Sequence, residues 1–319
     1  AVIQRLVRKP ATRYDRRDTW VGYCESHWRS FRRVLGFHPT REAAVLAELA
    51  AALKNASEAA LGSPISVVSV TAPSVATWYF DTPADSAVND ALVSAGLELG
   101  TMVISWPVYL DEASAVLAAS GRWHCRKRWC GVRTFASSWP NITYSISFTN
   151  DSLYTAFQPT QCFFEPLGPC AAYPPLISTP HGLSQLASAP SAAHFWNEIR
   201  THLLSEVAGF SKIGAFSDYS TFTVLTAGEA ADHPDFLTVV RDVAGEIPRI
   251  RKEYGARDLM AELVVSEEPG WAAARGAAFW LHTRMNSSYC DGVERGEWDW
   301  DEGCWNEDWE GNWMERDEL

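Results

Sequence analysis

The sequence predicts an α/β protein, and three neighbouring segments between residues 53 and 99 carry most of that prediction. Apolar residues recur at three- and four-residue spacing from Leu46 to Ala60, which predicts a helix that Gly62 ends. The run Ile65–Val70 is mostly apolar and β-branched, as expected of a short buried strand. A second helical pattern follows in Ala87–Leu97. Helix, strand and helix in this order are typical of a layered α/β fold.

The second half of the chain continues this alternation. Period-two patterns in Ile142–Phe148 and Leu153–Phe157 predict a β-hairpin with its turn at Thr149–Ser152. Residues 159–190 are rich in Pro, Ser, Gly and Ala, and they predict an irregular loop tied by a disulfide. Apolar residues four apart in Ala192–Phe210 then predict a helix. With 319 residues, the chain is long enough for two lobes, each with its own core.

Several short motifs occur in an order that carries a family resemblance. In the first half they are Leu61-Gly62-Ser63-Pro64-Ile65, Val70-Thr71-Ala72-Pro73 and Ala95-Gly96-Leu97. Together they resemble the ATPase domain of the seventy-kilodalton heat-shock protein, a member of the actin-like ATPase superfamily. Phe222–Ala231 resembles the strand and turn of that family's adenosine motif, and Ala272–Ala278 resembles its closing helix. A generic helix–strand–helix unit and a simple Ala-rich helix are the alternative interpretations of these segments.

This resemblance implies a two-lobed actin-like ATPase fold with ribonuclease H-like lobes. It covers roughly residues 45–285 and is closest in pattern to divergent secretory heat-shock-like proteins of filamentous fungi. On this basis residues 1–125 form the first lobe with a basic amino-terminal segment. Residues 126–290 form the second lobe with the loop 159–190, and residues 291–319 form an acidic, Trp-rich tail.

The resemblance also implies a nucleotide site. Glu112 falls where the family has a carboxylate that positions metal-bound water, and it is the candidate catalytic residue. Gly228 and Glu229 lie in the segment that resembles the adenosine motif, and Gly276 lies in the closing helix. The cofactors implied for an active enzyme are ATP and Mg²⁺. An acidic residue at position 112 is also what the amino terminus of an ordinary helix favours.

The phosphate-binding hairpins depart from the family pattern. The family's Gly-rich turn, Asp-x-Gly-Gly-Gly-Thr, is replaced here by Thr149-Asn150-Asp151-Ser152, which contains no glycine. Close approach of the backbone to a phosphate is therefore not provided for. Residues 1–45 contain no match to the family's first hairpin, Asp-Leu-Gly-Thr-Thr, and no counterpart of its catalytic lysine is evident.

These departures indicate a degenerate ATPase fold in a glycoprotein that binds nucleotide weakly or not at all. The expected function is that of a non-catalytic scaffold or binding protein. Two alternatives stay open: a chaperone-like protein that binds and hydrolyses ATP, and a secreted interaction protein that acts through its Trp-rich tail.

Glycosylation sequons and cysteines point to the secretory pathway, with secretion or the lumen of the endoplasmic reticulum as the destination. The sequons begin at Asn55, Asn141, Asn150 and Asn286. The candidate disulfide pairs are Cys125 with Cys130, Cys162 with Cys170, and Cys290 with Cys304, which leaves Cys24 over. Arg316-Asp317-Glu318-Leu319 resembles a retrieval signal of the endoplasmic reticulum. A zinc site at His124, Cys125 and Cys130 is disfavoured, because the spacing is poor for a tetrahedral site, so no metal is expected.

Charge is distributed unevenly within a net charge of −12. Ten Lys and Arg residues lie in residues 1–41, and twelve acids lie from Asp291 onward. Because the acidic tail would compete with nucleic acid for the basic segment, we expect no nucleic-acid partner. No apolar run is long enough for a membrane span. Trp305, Trp309 and Trp313 fall four apart in the tail, which suggests a face that docks a protein partner; a solvated acidic tail is the alternative.

Overall fold

The structure is a computed structural model, and it describes most of the chain between residues 27 and 285. The described ranges are 27–32, 34–35, 37–73, 86–100, 109–120, 141–160, 173–213, 221–255 and 260–285. Besides a short helical stretch at residues 27–32, the described elements are, in chain order, α1 (Arg41–Leu61), β1 (Val67–Val68), β2 (Thr71–Ala72), α2 (Ala87–Ser94), β3 (Glu98–Leu99), β4 (Leu110–Asp111), α3 (Glu112–Ala119), β5 (Asn141–Phe148), β6 (Leu153–Thr160), β7 (Leu176–Ser178), α4 (Ala192–Lys212), β8 (Thr221–Ala227), α5 (Pro234–Glu253), β9 (Met260–Val265) and α6 (Ala272–Met285).

Helix α1 begins and ends where its sequence predicts. The side chain of Thr40 accepts a hydrogen bond from the amide of Ala43 (3.0 Å), which satisfies one of the free donors of the first turn. Gly62 closes the helix at φ 67°, and its N–H donates to Glu58 O. That left-handed conformation is one that glycine adopts without a steric penalty, so the predicted helix end is confirmed.

The strand predicted at Ile65–Val70 is interrupted in the structure. Only Val67–Val68 and Thr71–Ala72 pair as strands, the first parallel to β3 and the second parallel to β4. Val68 O accepts from Gly100 N, whereas Val70 O accepts from Leu110 N. Because the segment changes its pairing partner between these two carbonyls, no continuous ladder forms along it.

The main sheet has five strands in the order β7-β6-β5-β8-β9. Strand β6 is antiparallel to both neighbours, whereas β5, β8 and β9 run parallel to one another. The predicted hairpin is confirmed as β5 and β6, with Phe148 opposite Leu153 next to the turn. A helix connects β7 to β8 and another connects β8 to β9, as parallel connections require.

Helices cover both faces of this sheet. Tyr144, Phe222 and Val224 lie on the face that packs against α4 and α5. Leu225 and Val264 lie on the other face, in one cluster with apolar residues of α3 and α6. A mostly parallel sheet buried on both sides is the arrangement of an α/β protein, so the predicted fold class is confirmed at that level.

The loop prediction for residues 159–190 is wrong at its start, where Pro159 and Thr160 belong to β6, and in its second half. Leu176–Ser178 forms the edge strand β7, paired antiparallel with residues 153–155 of β6. Two short 3₁₀ turns, Thr179–His181 and Leu183–Ser188, follow it. The segment is rich in Pro and Ser, and a strand of only three residues is too short to show an alternation of apolar and polar residues. The sequence therefore did not predict β7. Among the residues that the structure describes, no helix is both long and apolar enough to cross a membrane.

Candidate functional site

The turn after β5 and the turn after β8 meet at the carboxyl ends of these two neighbouring strands of the main sheet. Gly228 has φ 99°, and a Cβ built on it would lie 2.7 Å from the carbonyl carbon of Phe148. Ala230 N donates to Phe148 O over 3.1 Å. A side chain at position 228 would therefore push the two turns apart, and only glycine fits there. The structure thus brings Gly228, named from the resemblance as a nucleotide-binding residue, next to the hairpin.

The four backbone N–H groups of the hairpin tip, Thr149–Ser152, all donate to acceptors of the protein itself, in hydrogen bonds that are at least partly exposed. Thr149 N donates to Ser152 O over 2.9 Å. Asn150 N donates to the Glu229 carboxylate over 3.0 Å. Asp151 N and Ser152 N both donate to Thr149 Oγ1, over 3.3 Å and 3.0 Å. The carboxylate of Glu229 therefore holds the donor of Asn150, and a threonine hydroxyl serves the two donors that follow.

The two 3₁₀ turns after β7, Thr179–Ser188, form a cover segment over the carbonyl side of the hairpin tip. Leu183 N donates to Thr149 O over 3.0 Å, and Ser184 N donates to Asn150 O over 2.9 Å. A Cβ built on Gly182 would lie 2.6 Å from Asn150 O. The cover segment thus touches the tip backbone directly, and both carbonyls are satisfied within the protein.

Two acidic residues lie at the start of α3. Asp111 caps the helix: one carboxylate oxygen accepts from Ser114 N (3.0 Å). Its other oxygen accepts from Ser114 Oγ (2.7 Å) and from the side-chain amide of Gln158 on β6 (3.2 Å). Burial raises the pKa of Asp111, although these three donors act in the opposite direction.

The neighbouring Glu112 is partly buried and hydrogen-bonds to Ser147. Burial raises the pKa of Glu112, and the adjacent charge of Asp111 raises it further, while the bond to Ser147 lowers it. Ser147 is the penultimate residue of β5, so the structure brings Glu112 close to the end of the strand that leads into the hairpin tip. The raised pKa means that Glu112 holds its proton to a higher pH than an exposed glutamate does.

Gly276 lies in a tight contact between two helices. A Cβ built on it would lie 2.5 Å from the carbonyl carbon of Ala115 in α3, and closer still to the oxygen. Trp280, one turn further along α6, is buried beside Leu110 and Ala118. The structure therefore gives Gly276 a packing role, in which the absent side chain lets α6 and α3 touch.

The other predicted sites are only partly described. The side chains of Asn55 and Asn150 are exposed, on α1 and on the hairpin tip. Asn141 is the first residue of β5, opposite Thr160 of β6. Several predicted features lie outside the described residues. They are Asn286, all the predicted disulfide cysteines, His124, residues 1–26 of the basic segment, and the Trp-rich tail.

Sequence reasoning missed a buried polar pair beneath the sheet. Tyr144 Oη donates to Glu206 Oε2 over 2.7 Å. Burial raises the pKa of Glu206, and burial together with the Glu206 charge raises that of Tyr144. The signal was present in the helical period: Glu206 shares the buried face of α4 with Ile199 and Leu203.

Comparison with known proteins leaves the family of this chain open. No family model matches the chain, and no curated protein matches it. Within the described ranges, no three His, Cys, Asp or Glu side chains are grouped so that they could hold a metal ion. Fold and site together define an α/β protein whose hairpin tip is closed by its own side chains and by a cover segment.

Proposed function

We propose that this chain is a degenerate relative of the actin-like ATPases that acts as a non-catalytic scaffold or binding protein. In this proposal it binds nucleotide weakly or not at all. The order of the sheet supports the relationship. Numbered along the chain, its strands lie in the order 3-2-1-4-5, with the second strand antiparallel to the rest. This is the order expected of a ribonuclease H-like lobe.

The helix contact at Gly276 also supports the relationship. The resemblance implies a closing helix in which a glycine permits close packing, and α6 meets α3 in this way. Gly228 likewise occupies a turn with positive φ directly after the parallel strand β8, in the segment that resembles the family's adenosine motif.

The observation that carries the functional proposal is the occupied hairpin tip. A phosphate-binding turn offers free backbone N–H groups to the anion. Here Glu229 and Thr149 Oγ1 take three of the four donors, and Ser152 O takes the fourth. A phosphate would have to displace these acceptors, and the Glu229 carboxylate would repel it. The residues present therefore do not fit ATP·Mg²⁺ at this turn.

One observation favours the alternative, an enzyme that hydrolyses ATP. Glu112 lies near the end of β5, hydrogen-bonded to Ser147, where a group that positions water would be needed. Its carboxyl group is otherwise partly buried beside Asp111, and the turn that would hold phosphate is occupied by Glu229 and Thr149 Oγ1. We therefore keep hydrolysis as the competing outcome of the test.

Calorimetric titration of the full chain with ATP·Mg²⁺ separates the two proposals. We expect no binding with a Kd below about 1 mM, which corresponds to about −4 kcal/mol. A micromolar Kd, with ATP turnover that is lost in Glu112→Ala and kept in the matched control Glu48→Ala, would contradict the proposal. Glu48 is an exposed glutamate on α1, so its substitution controls for the loss of one surface charge.

A further inference from the structure

A chain of polar side chains links the cover segment to the buried face of α4. Ser178 Oγ and His181 Nδ1 lie 2.7 Å apart at the start of the cover segment. The ring centroids of His181 and His202 are 4.9 Å apart. His202 Nε2 lies 3.6 Å from Glu206 Oε1, and the other oxygen of that carboxylate is bonded to Tyr144. The two histidines thus form the polar link between the cover segment and α4.

The contact between His202 and Glu206 is a site where one proton can be shared between the two side chains. His202 Nε2 and Glu206 Oε1 are both buried and lie 3.6 Å apart without a hydrogen bond between them. A buried polar atom without a partner is costly, and one proton shared by this pair relieves both atoms. The first proton added to the cluster therefore lies between His202 and Glu206, both on α4.

A second proton, on His181, meets different surroundings. Its ring lies beside that of His202, with the ring centroids 4.9 Å apart. Protonation of both histidines would therefore place two like charges next to each other. Burial and the proximity of His202 lower the pKa of His181, while the charge of Glu198 raises it. Burial alone lowers the pKa of His202. Both histidines are therefore neutral at pH 7 and become charged only in acid.

Few contacts hold the cover segment, which carries His181, against the hairpin tip. The cover segment consists of two 3₁₀ turns and has no helix or strand of its own. Its ties to the hairpin tip are the hydrogen bonds from Leu183 N and Ser184 N, together with the close approach of Gly182. Leu183 and Leu186 pack against the main core while staying partly exposed. Such a segment opens at a lower free energy than the sheet beneath it.

We propose that the cover segment is an acid-released clasp on the hairpin tip. When His181 and His202 are both protonated, their repulsion moves the cover segment away from α4 and breaks its two hydrogen bonds to the tip carbonyls. This inference does not depend on the proposed function, because it concerns only how the tip is covered.

The charges around the two histidines are compatible with this release. Glu198 is already paired with His194, 3.2 Å away on the same helix. Among the described residues, the titratable groups around the cluster are Glu198, Glu206 and His194 from α4, Tyr144 from β5, and Tyr173 ahead of β7. Two arginines lie on the side where α5 packs against α4. Arg200 pairs with Asp242, and Arg251 lies against the Phe210 ring.

Hydrogen exchange of the full chain, read by mass spectrometry, tests the clasp. Exchange in residues 179–190 is compared at about pH 7.5 and pH 5.0 after correction for the intrinsic rates, because the lower pH favours protonation of both histidines. We expect exchange of this segment in the native protein to be roughly tenfold faster at the lower pH. His181→Gln and His202→Gln should each lose that difference, because glutamine carries no proton charge. His282→Gln, at an exposed position on α6, is the matched control and should keep it.

Equal protection of the segment at the two pH values in the native protein would overturn the inference. So would a pH-dependent loss of protection that persists unchanged in His181→Gln. Should His202→Gln unfold, the partly exposed His181 position decides the matter by itself.

Discussion

Replacement of Gly276 by alanine is expected to separate helices α3 and α6. The new Cβ would lie 2.5 Å from the carbonyl carbon of Ala115, whereas carbon atoms in contact are about 3.5–4.0 Å apart. The helices would therefore have to move apart by about 1 Å or more. The neighbour is helix backbone, which cannot turn aside as a flexible side chain can.

The magnitude follows from two opposing effects. Alanine gains about 1 kcal/mol of helix propensity over glycine. Overpacking a close contact costs ~1–3 kcal/mol or more, and here the shift also loosens the packing of Trp280 against Leu110. We therefore expect Gly276→Ala to lower the free energy of unfolding by about 2 kcal/mol or more.

Gly245→Ala provides the matched control. Gly245 lies in the interior of α5, at an exposed position where an added Cβ would meet nothing within 4 Å. This variant should keep the propensity gain of up to about 1 kcal/mol, so the two variants should differ by about 3 kcal/mol. Urea unfolding followed by far-ultraviolet circular dichroism measures both. Equal stability of the two variants would refute the helix contact at Gly276.

Three further predictions concern the buried polar groups and the tail. Tyr144→Phe leaves the buried Glu206 carboxyl group without its donor and should cost ~1–3 kcal/mol in urea unfolding, whereas Tyr254→Phe at an exposed position should be neutral. Because burial raises the pKa of Glu206 in the folded state, its contribution to stability is fully present below the unfolded pKa and is lost as pH rises through the folded one. The stability of Glu206→Gln relative to the native protein should therefore increase from about pH 4 to pH 8, and a flat difference would contradict this. If residues 297–319 are the functional element, their deletion should abolish partner capture and leave the unfolding midpoint unchanged; unchanged capture would exclude the tail.

The sequence predicted elements that depend on local signals. Gly62 marked the end of α1 because a glycine conformation is a property of one residue. The hairpin of β5 and β6 was predicted because alternating patterns in Ile142–Phe148 and Leu153–Phe157 flank a short polar turn. The helices at α4 and α6 were predicted from their apolar or small-residue patterns.

The site depended on contacts between distant residues, which no local pattern contains. Glu229 reaches Asn150 across 79 positions, and Gln158 reaches Ser114 across 44. Strand β7 has three residues and exists because β6 offers it a free edge. Glu229 was named from the resemblance as a nucleotide-binding residue, and in the structure its carboxylate accepts a hydrogen bond from Asn150 N.

The most direct test of the occupied hairpin tip is an NMR titration of the ¹⁵N-labelled full chain with ATP·Mg²⁺, observing the amides of residues 149–152. We expect these four resonances not to shift at nucleotide concentrations up to about 1 mM, which corresponds to a binding free energy of about −4 kcal/mol. We also expect the amide of Ser152, whose hydrogen bond to Thr149 Oγ1 is partly buried, to exchange more slowly than those of Asn150 and Asp151, whose hydrogen bonds are exposed. A saturable shift of the Asn150 and Ser152 amides at micromolar ATP would show that the tip binds phosphate and would contradict the account.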